Sequence, residues 1–146
     1  MIINGATIVG ARVVDGTAIT QNLLVWLDAS NASSYSGTGT TVNDLSGNGY
    51  THTLSSSGIY TVLNGIKCFD CSSTGQITVN GTGPTLPTTG FTYIGWSRLL
   101  NSTAGWRTLW RTTTSDHPLL IQAGSNTLGM FDNNGADFVS AGYDVG

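Results

Sequence analysis

The sequence contains no glutamate, and this absence constrains the fold more than any other feature. The eight acidic residues are all aspartates, and Lys67 is the only lysine. Glutamate and lysine favour exposed helices, whereas threonine, valine, isoleucine and aromatic residues suit a pleated, half-buried sheet, and glycine and asparagine suit turns. The composition therefore predicts an all-β protein.

Length and charge limit the kind of protein further. A chain of 146 residues fits one domain, and the formal charge of −3 comes without any run of lysine or arginine that could track a phosphate backbone. No apolar stretch approaches the roughly 20 residues of a membrane-spanning helix. The start, M-I-I-N-G-A-T-I-V-G-A-R, lacks the basic region and apolar core of a signal peptide. We expect no nucleic-acid partner, no membrane span and folding in the cytoplasm where the chain is made.

The strand pattern favours an antiparallel β-sandwich or jelly roll. The run L-L-V-W-L-D-A-S, residues 23–30, predicts a buried strand that ends at Asp28. Asn64 and Gly65 join two apolar runs and predict a hairpin. Further strands are predicted near residues 51–54 and in Q-I-T-V-N, F-T-Y-I-G-W-S, W-R-T-L-W-R, P-L-L-I-Q-A, T-L-G-M-F-D and D-F-V-S-A. No segment has a sustained helical period.

Residues 1–22 differ from the rest and predict an N-terminal assembly arm. Their short apolar pairs are separated by glycines and include no aromatic residue that could build a core. Such an arm must pair with the following domain, residues 23–146, or with a neighbouring chain by strand addition, which we favour slightly.

Cys68 and Cys71 are the only cysteines. One C-x-x-C supplies two of the four ligands that a structural zinc needs, so a zinc site is the less favoured interpretation. The segment I-K-C-F-D-C predicts a strand, in which positions three apart point to opposite faces. We expect two free thiols, with Cys71 packing inward beside Phe69.

Several motifs, in order along the chain, carry a family resemblance. The run L-L-V-W-L-D-A-S-N-A-S-S-Y, then D-L-S-G-N-G, then the F-D and I-T-V strands, resembles the concanavalin A-like lectin/glucanase superfamily, and most closely its laminin-G-like jelly rolls. The later run R-T-L-W-R-T-T-T-S-D-H-P-L-L-I-Q-A-G-S-N-T-L-G-M-F-D-N is similar to the version of this domain in virion proteins of tailed phages and large viruses. Together these motifs cover about residues 23–140.

The resemblance implies an antiparallel sandwich and a location in the virion. Domains of this type usually continue past the segment equivalent to Gly142 with strands that complete both sheets. We therefore expect the sandwich to be incomplete within this sequence, and to be completed by a longer native polypeptide or by another subunit.

The chemistry of the sequence argues against catalysis. The glucanase branch uses an E-x-D-x-E strand, and no glutamate is present to occupy it. A serine, an aspartate and His52 or His117 could form a triad in principle, but there is no G-x-S-x-G motif. His117 precedes a proline, which predicts a position at the start of a strand and a bond to a neighbouring loop.

Four residues are candidates for contacting a ligand. Arg107 and Arg111 bracket T-L-W and would share one face of a strand, beside tryptophans including Trp110; they could stack on a sugar or clamp an acidic group. The alternative is that both arginines extend over the sheet and pair with aspartates. Tyr35, in the loop of residues 31–41, could contact a glycan, although such loops also occur without a ligand.

The stretch D-L-S-G-N-G, residues 44–49, resembles the start of an EF-hand calcium loop. Position twelve of that loop is Ser55 and not the bidentate glutamate, which rules out an EF-hand. We predict a turn in which Gly47 and Gly49 have positive φ and Asp44 bonds amides of its own turn. A weak calcium site formed by Asp44, Asn48 and main-chain carbonyls is the alternative, and no other cofactor is predicted.

The function favoured by these observations is that of a non-enzymatic virion structural protein or appendage, of the capsid, tail-fibre or decoration type. It would act through homo-oligomeric or mixed assembly with other virion subunits. The first alternative is a carbohydrate-binding adhesin that recognises host-surface glycans. The second, a polysaccharide-degrading enzyme, is disfavoured by the lack of glutamate.

Overall fold

The computed structural model describes residues 22–71, 75–85, 92, 94–95, 105–111, 117–125, 127–131 and 135–138. The described residues up to Gly95 belong to one compact unit, the N-terminal unit, and those from Gly105 onward belong to a second, the C-terminal unit. Within these residues the regular structure consists of nine β-strands and one 3-10 helix, and every strand pair is antiparallel. The prediction of an all-β fold is confirmed.

The N-terminal unit contains two antiparallel sheets. The first has the strand order β1-β2-β5 and the second is the β3-β4 hairpin. Their strands are β1 (Thr41–Asn43), β2 (Thr51–Leu54), β3 (Tyr60–Leu63), β4 (Ile66–Phe69) and β5 (Ile77–Val79), with the 3-10 helix Ser57–Ile59 before β3. The strands predicted near residues 51–54 and in Q-I-T-V-N are confirmed.

The three-stranded sheet buries one face because its side chains alternate. In β2 the two threonines are exposed while His52 and Leu54 are buried. The register pairs His52 with Val42 of β1 and Leu54 with Ile77 of β5, and cross-strand partners lie on the same side of a sheet. These four side chains therefore form one inward face.

The hairpin predicted at Asn64 and Gly65 is confirmed. Both residues have positive φ, 51° and 81°, as a two-residue type I′ turn requires. The flanking strands pair directly, with Leu63 opposite Ile66 and Tyr60 opposite Phe69. The local signal alone was enough to fix this element.

Residues 23–28 are not a strand, so that prediction is wrong in conformation, and it is correct in burial only at its end, because residues 23–26 are half-buried. Leu27, Asp28 and Ala29 are buried. The backbone of the preceding residue, Trp26, is bonded to a turn: its carbonyl accepts from the Leu45 amide at 2.8 Å. A continuous apolar run indicates that a segment is buried, but it does not indicate which groups form hydrogen bonds with the backbone amides and carbonyls of that segment.

The two cysteines are free thiols, as predicted, but their packing differs from the prediction. Strand β4 ends at Phe69, so the alternation that would have placed Cys71 beside Phe69 does not reach it. Cys68 is buried next to Phe69, while Cys71 is half-buried. Burial raises the pKa of both thiols.

The C-terminal unit is a four-stranded antiparallel meander with the order β6-β7-β8-β9. Its strands are β6 (Arg107–Trp110), β7 (His117–Ile121), β8 (Leu128–Phe131) and β9 (Ala136–Phe138), which confirms the strands predicted from the last four motifs. Leu109, Leu120 and Ile121 are buried. The register shifts once between β6 and β7 and once between β7 and β8, which marks irregular pairing.

Some predictions fall outside the described residues. These are the arm of residues 1–22 apart from Asn22, the end of the chain after residue 138, and Phe91, Tyr93 and Trp96 of the F-T-Y-I-G-W-S segment. Among the residues that are described, no helix has the length and apolar character needed to cross a membrane.

Candidate functional site

The D-L-S-G-N-G stretch forms a turn whose side chains hold an earlier segment of the chain. Asp44 Oδ1 accepts hydrogen bonds from the Trp26 amide at 2.7 Å and from the Ser46 amide at 2.9 Å. The other oxygen of Asp44 accepts from the Ser46 hydroxyl. Gly47 and Gly49 have φ of 91° and 77°. Both predictions about this turn, its positive-φ glycines and the bond from Asp44 to its own turn, are confirmed.

The same turn also binds the carbonyls that precede Trp26. Asn48 Nδ2 donates to the Leu23 carbonyl at 2.8 Å and to the Leu24 carbonyl at 3.0 Å. The Ser46 hydroxyl lies 3.3 Å from the same Leu24 carbonyl. We call Asp44, Ser46 and Asn48 the turn clamp, because all three side chains bind the segment that leads to Trp26.

The calcium alternative stays a prediction, and the structure shows what its candidate ligands do. Both oxygens of Asp44 already accept hydrogen bonds, and Asn48 directs its nitrogen, not its oxygen, at the neighbouring carbonyls. Within the described residues no group of three or more His, Cys, Asp or Glu side chains is close enough to hold a metal ion. In the structure, therefore, these side chains bind the chain itself.

Tyr35, a predicted glycan contact, is a core residue with 3 % of its surface exposed. Its ring packs edge-on against Phe69, with centroids 5.4 Å apart, and lies 4.8 Å from the ring of Tyr60. Its hydroxyl donates to the Gly39 carbonyl at 2.8 Å. Burial raises the pKa of Tyr35. The ring is therefore enclosed by its neighbours and does not present a face to solvent.

The other three ligand candidates lie in or next to β6. Arg107 and Trp110 are half-buried, and Arg111 is exposed just after the strand. Thr108 pairs with Leu120 but Trp110 pairs with Leu119, so β6 contains one extra residue between these pairs. The prediction that Arg107 and Arg111 share one face assumed that side chains alternate along the strand without interruption. The bulge interrupts this alternation, so the spacing of the two arginines no longer places them on one face.

His117 is the first residue of β7, as predicted, and its partner is a strand residue instead of a loop residue. Its Nδ1 lies 2.8 Å from the Thr108 hydroxyl on β6. The imidazole also contacts the ring of Phe131 on β8, at a centroid distance of 6.0 Å. These two contacts orient the ring across three strands of the sheet.

His52 is buried in an apolar row, with 4 % of its surface exposed. It pairs with Val42 on one side and Val79 on the other. Burial lowers the pKa of His52, and the Asp44 carboxylate opposes this effect. In the described part of the chain its Nδ1 has no hydrogen-bond partner. The arrangement favours the neutral imidazole, because charging it would require an ion in an apolar environment.

The tip of the β3-β4 hairpin is a candidate surface that the sequence reasoning missed. Val62 and Ile66 are each 56 % exposed. Leu63, directly opposite Ile66, is half-buried. The sequence contains a signal for this surface. Val62 and Leu63 are adjacent apolar residues before the Asn-Gly turn, and adjacent residues of a strand point to opposite faces. A hairpin tip that is covered on one face can bury only one of the two.

Comparisons of the chain with models of protein families, with curated proteins and with solved structures find no match. The resemblance to the concanavalin A-like superfamily rests on the sequence motifs alone.

Proposed function

We propose that this chain is a non-enzymatic virion structural protein or appendage, of the capsid, tail-fibre or decoration type, which acts through homo-oligomeric contacts. The observation that carries the assembly role is the exposed apolar tip of the β3-β4 hairpin. The virion location rests on the resemblance of the later motifs to virion domains.

The hairpin is anchored at its base and exposed at its tip. At the base, Phe69 and Cys68 are 1 % and 4 % exposed, and the Asp70 amide donates to the Ile59 carbonyl at 2.6 Å. At the tip, Val62 and Ile66 remain 56 % exposed. Apolar groups on a preformed element lose little conformational entropy on binding, which makes them suitable contact residues.

A second copy of the chain is the partner that we propose for the hairpin tip. Lys67, the only lysine, is exposed on β4 directly opposite Val62. A second copy presents the same exposed pair, Val62 and Ile66, so a symmetric contact would bring apolar side chains together from both copies. Within the described residues the hairpin is a two-stranded sheet, and a lysine at such an edge discourages unspecific pairing.

The positions of the two histidines support the non-enzymatic part of the proposal. His52 lies between two valines, and His117 contacts a threonine and a phenylalanine. Neither imidazole forms a hydrogen bond to a carboxylate within the described residues, so neither has the partner that orients the base in a hydrolytic triad.

The laminin-G-like jelly roll is the fold family that we propose for the domain. Its support is the antiparallel pairing of all described strands and the position of the turn clamp after the apolar run, as the motifs lead one to expect. The order of strands in a complete jelly roll remains part of this proposal.

Light scattering coupled to size-exclusion chromatography tests the assembly role. The purified chain should form a concentration-dependent oligomer, and the double variant Val62→Thr/Ile66→Thr should be monomeric at the same concentration. Ile94→Thr is the matched control, because Ile94 is 50 % exposed and lies outside the hairpin. An oligomer that survives the double substitution, or a wild-type chain that is monomeric throughout, would contradict the proposal.

The virion location needs a separate experiment. Mass spectrometry and immunogold labelling of gradient-purified particles should detect the chain in fixed proportion to the other virion proteins. Its presence in the infected-cell lysate together with its absence from the particles would show that it is not a structural component.

A further inference from the structure

Three Asn-Gly pairs lie in the described part of the N-terminal unit, and both residues of each pair are exposed. They are Asn48-Gly49, Asn64-Gly65 and Asn80-Gly81. The three glycines have φ of 77°, 81° and 71°, and a Cβ added to any of them would meet no atom within 4 Å. The backbone after each asparagine is therefore equally open. The asparagines of two further pairs, Asn4 and Asn134, lie outside the described residues.

An asparagine that precedes a glycine can react with its own backbone, because the glycine has no Cβ to hinder the approach. The glycine amide nitrogen attacks Cγ of the asparagine side chain and forms a cyclic succinimide. The side-chain nitrogen leaves as ammonia and takes the proton of the glycine amide with it. Water then opens the ring at either of its carbonyls and leaves aspartate or isoaspartate. The reaction consumes water, and nothing is oxidised or reduced.

The side chain of Asn48 is held away from such an attack. Its Nδ2 donates to the Leu23 carbonyl at 2.8 Å and to the Leu24 carbonyl at 3.0 Å. The same nitrogen donates to the Ser46 hydroxyl at 3.0 Å. These bonds must break before Cγ can approach the nitrogen of Gly49.

The side chain of Asn80 is held at both of its polar atoms by strand β2. Its Oδ1 accepts from the Thr53 hydroxyl at 2.7 Å, and its Nδ2 donates to the Thr51 hydroxyl at 3.2 Å. The backbone amide of Asn80 also donates to the Thr51 carbonyl at 2.8 Å. The carboxamide group is therefore fixed against the exposed face of the sheet.

Asn64 lies in the same kind of sequence but is not held. Among the described residues its side chain forms no hydrogen bond. The ladder of the β3-β4 hairpin closes at the pair of Leu63 and Ile66, so the amide of Gly65 lies outside the ladder. Of the three asparagines, only Asn64 can bring Cγ to the following nitrogen without first losing a side-chain hydrogen bond.

We infer that Asn64 is a self-modification site, which deamidates through a succinimide to aspartate or isoaspartate, while Asn48 and Asn80 are protected by their side-chain hydrogen bonds. Either product adds a negative charge to the hairpin tip, and isoaspartate also lengthens the backbone of a two-residue turn. A charge beside Val62 and Ile66 is costly to bury, so modified chains should associate more weakly. That consequence rests on the proposed function, whereas the reaction does not.

Peptide mapping tests the inference on the full chain. The folded protein, at a concentration where light scattering shows a monomer, and the same protein in urea are incubated in mildly alkaline buffer. Digestion with pepsin in acid stops the reaction, and tandem mass spectrometry measures conversion at each asparagine. In urea the three sites should react at similar rates. In the folded chain Asn64 should react about tenfold faster, or more, than Asn48 and Asn80, since each of these must first lose at least two hydrogen bonds.

The double variant Thr51→Val/Thr53→Val tests the cause of the protection. It removes both hydroxyls that hold Asn80 and should raise the rate at Asn80 about tenfold, without a change at Asn64. Thr78→Val is the matched control, because Thr78 is exposed and pairs with Thr53 on the same face of the sheet. It should leave the rate at Asn80 unchanged. Circular dichroism establishes that each variant is folded.

Three results would overturn the inference. They are a rate at Asn64 in the folded chain no higher than at Asn48 and Asn80, the absence of conversion at Asn64 in the folded chain while it proceeds in urea, and an unchanged rate at Asn80 in the double variant. The measurement is made on the monomer, so its result is the same whether or not the assembly role is correct.

Discussion

The Asp44 carboxylate accepts a hydrogen bond from the backbone amide of Trp26, 18 residues earlier in the chain, at 2.7 Å. The Leu45 amide, next to Asp44, donates to the carbonyl of the same Trp26 at 2.8 Å. Both backbone polar groups of Trp26 are therefore satisfied by one turn. This pairing replaces the strand ladder that the apolar sequence of residues 23–28 predicted, and it gives the D-L-S-G-N-G stretch a structural role.

Replacement of Asp44 by alanine should destabilise the protein by about 2–3 kcal/mol, because the part-buried Trp26 amide and the Ser46 amide both lose their acceptor. Asp44→Asn retains one acceptor oxygen and should lose about half as much. Urea denaturation followed by circular dichroism measures both. A change within about 0.5 kcal/mol of wild type for Asp44→Ala would show that the clamp contributes little.

Calcium should leave the melting temperature unchanged. A bound ion would need the oxygens of Asp44, which already accept hydrogen bonds from Trp26 and Ser46, and would need Asn48 to turn its amide around. Melting would be followed by calorimetry with millimolar calcium and with a chelator. A saturable rise in melting temperature that is lost in Asp44→Asn would contradict this prediction and support the calcium alternative.

The parts of the fold that the sequence predicted are those decided by neighbouring residues. The Asn64-Gly65 hairpin and the positive φ of Gly47 and Gly49 depend on local backbone preferences, and all were found as expected. Residues 23–28 were misassigned because their hydrogen bonds come from a distant turn. The bulge in β6 was equally invisible, since it is a property of the pairing with β7.

The candidate sites show the same difference between features set by neighbouring residues and features set by distant contacts. Tyr35 looked like an exposed loop residue, and only its contacts with Tyr60 and Phe69, from a later hairpin, make it a core residue. The rings of Trp106 and Phe138, whose centroids are 5.9 Å apart, lie far apart in sequence and on opposite edges of one sheet, so their contact required the register of all four strands. Sequence periodicity describes one element at a time and cannot supply such pairings.

The stability of the protein should decrease as the pH falls below about 6.5, partly because of His52. Burial lowers the pKa of His52 in the folded state, so the unfolded chain takes up the proton first. The loss begins near the unfolded pKa and ends once the pH is below the folded pKa, with a slope of at most about 1.4 kcal/mol per pH unit for one proton.

The variant His52→Leu tests this contribution. It fills a similar volume without a titratable group, and it also removes the unpartnered Nδ1. Free energies of unfolding measured by urea denaturation from pH 7.5 to pH 5 should depend less on pH in this variant than in the wild type. Identical pH dependence in the two proteins would show that His52 does not contribute.

Gly65→Ala should destabilise the hairpin by about 1–2 kcal/mol. Its φ of 81° lies in the left-handed region that a side chain disfavours, and an added Cβ would meet no atom within 4 Å, so the cost comes from the backbone alone. Gly135→Ala is the matched control, because its Cβ also meets no atom within 4 Å and its φ lies outside that region. Thermal melting of both variants should show a decrease only for Gly65→Ala, and equal decreases would be evidence against the backbone explanation.

Tyr35 allows packing and hydrogen bonding to be separated in one cluster. Tyr35→Phe removes the hydroxyl that donates to the Gly39 carbonyl and should cost about 1 kcal/mol. Tyr35→Ala also removes a buried ring that contacts Tyr60 and Phe69, and should cost about 3–5 kcal/mol.

Tyr60→Phe is the control for loss of a hydroxyl in the same cluster, because within the described residues the Tyr60 hydroxyl makes no hydrogen bond. The free energy of unfolding of Tyr60→Phe, measured by urea denaturation, should therefore be close to that of the wild type. Equal losses for Tyr35→Phe and Tyr60→Phe would mean that the bond to Gly39 adds nothing to stability. A loss below about 1 kcal/mol for Tyr35→Ala would mean that the ring is not part of the core, and would return Tyr35 to the residues able to contact a glycan.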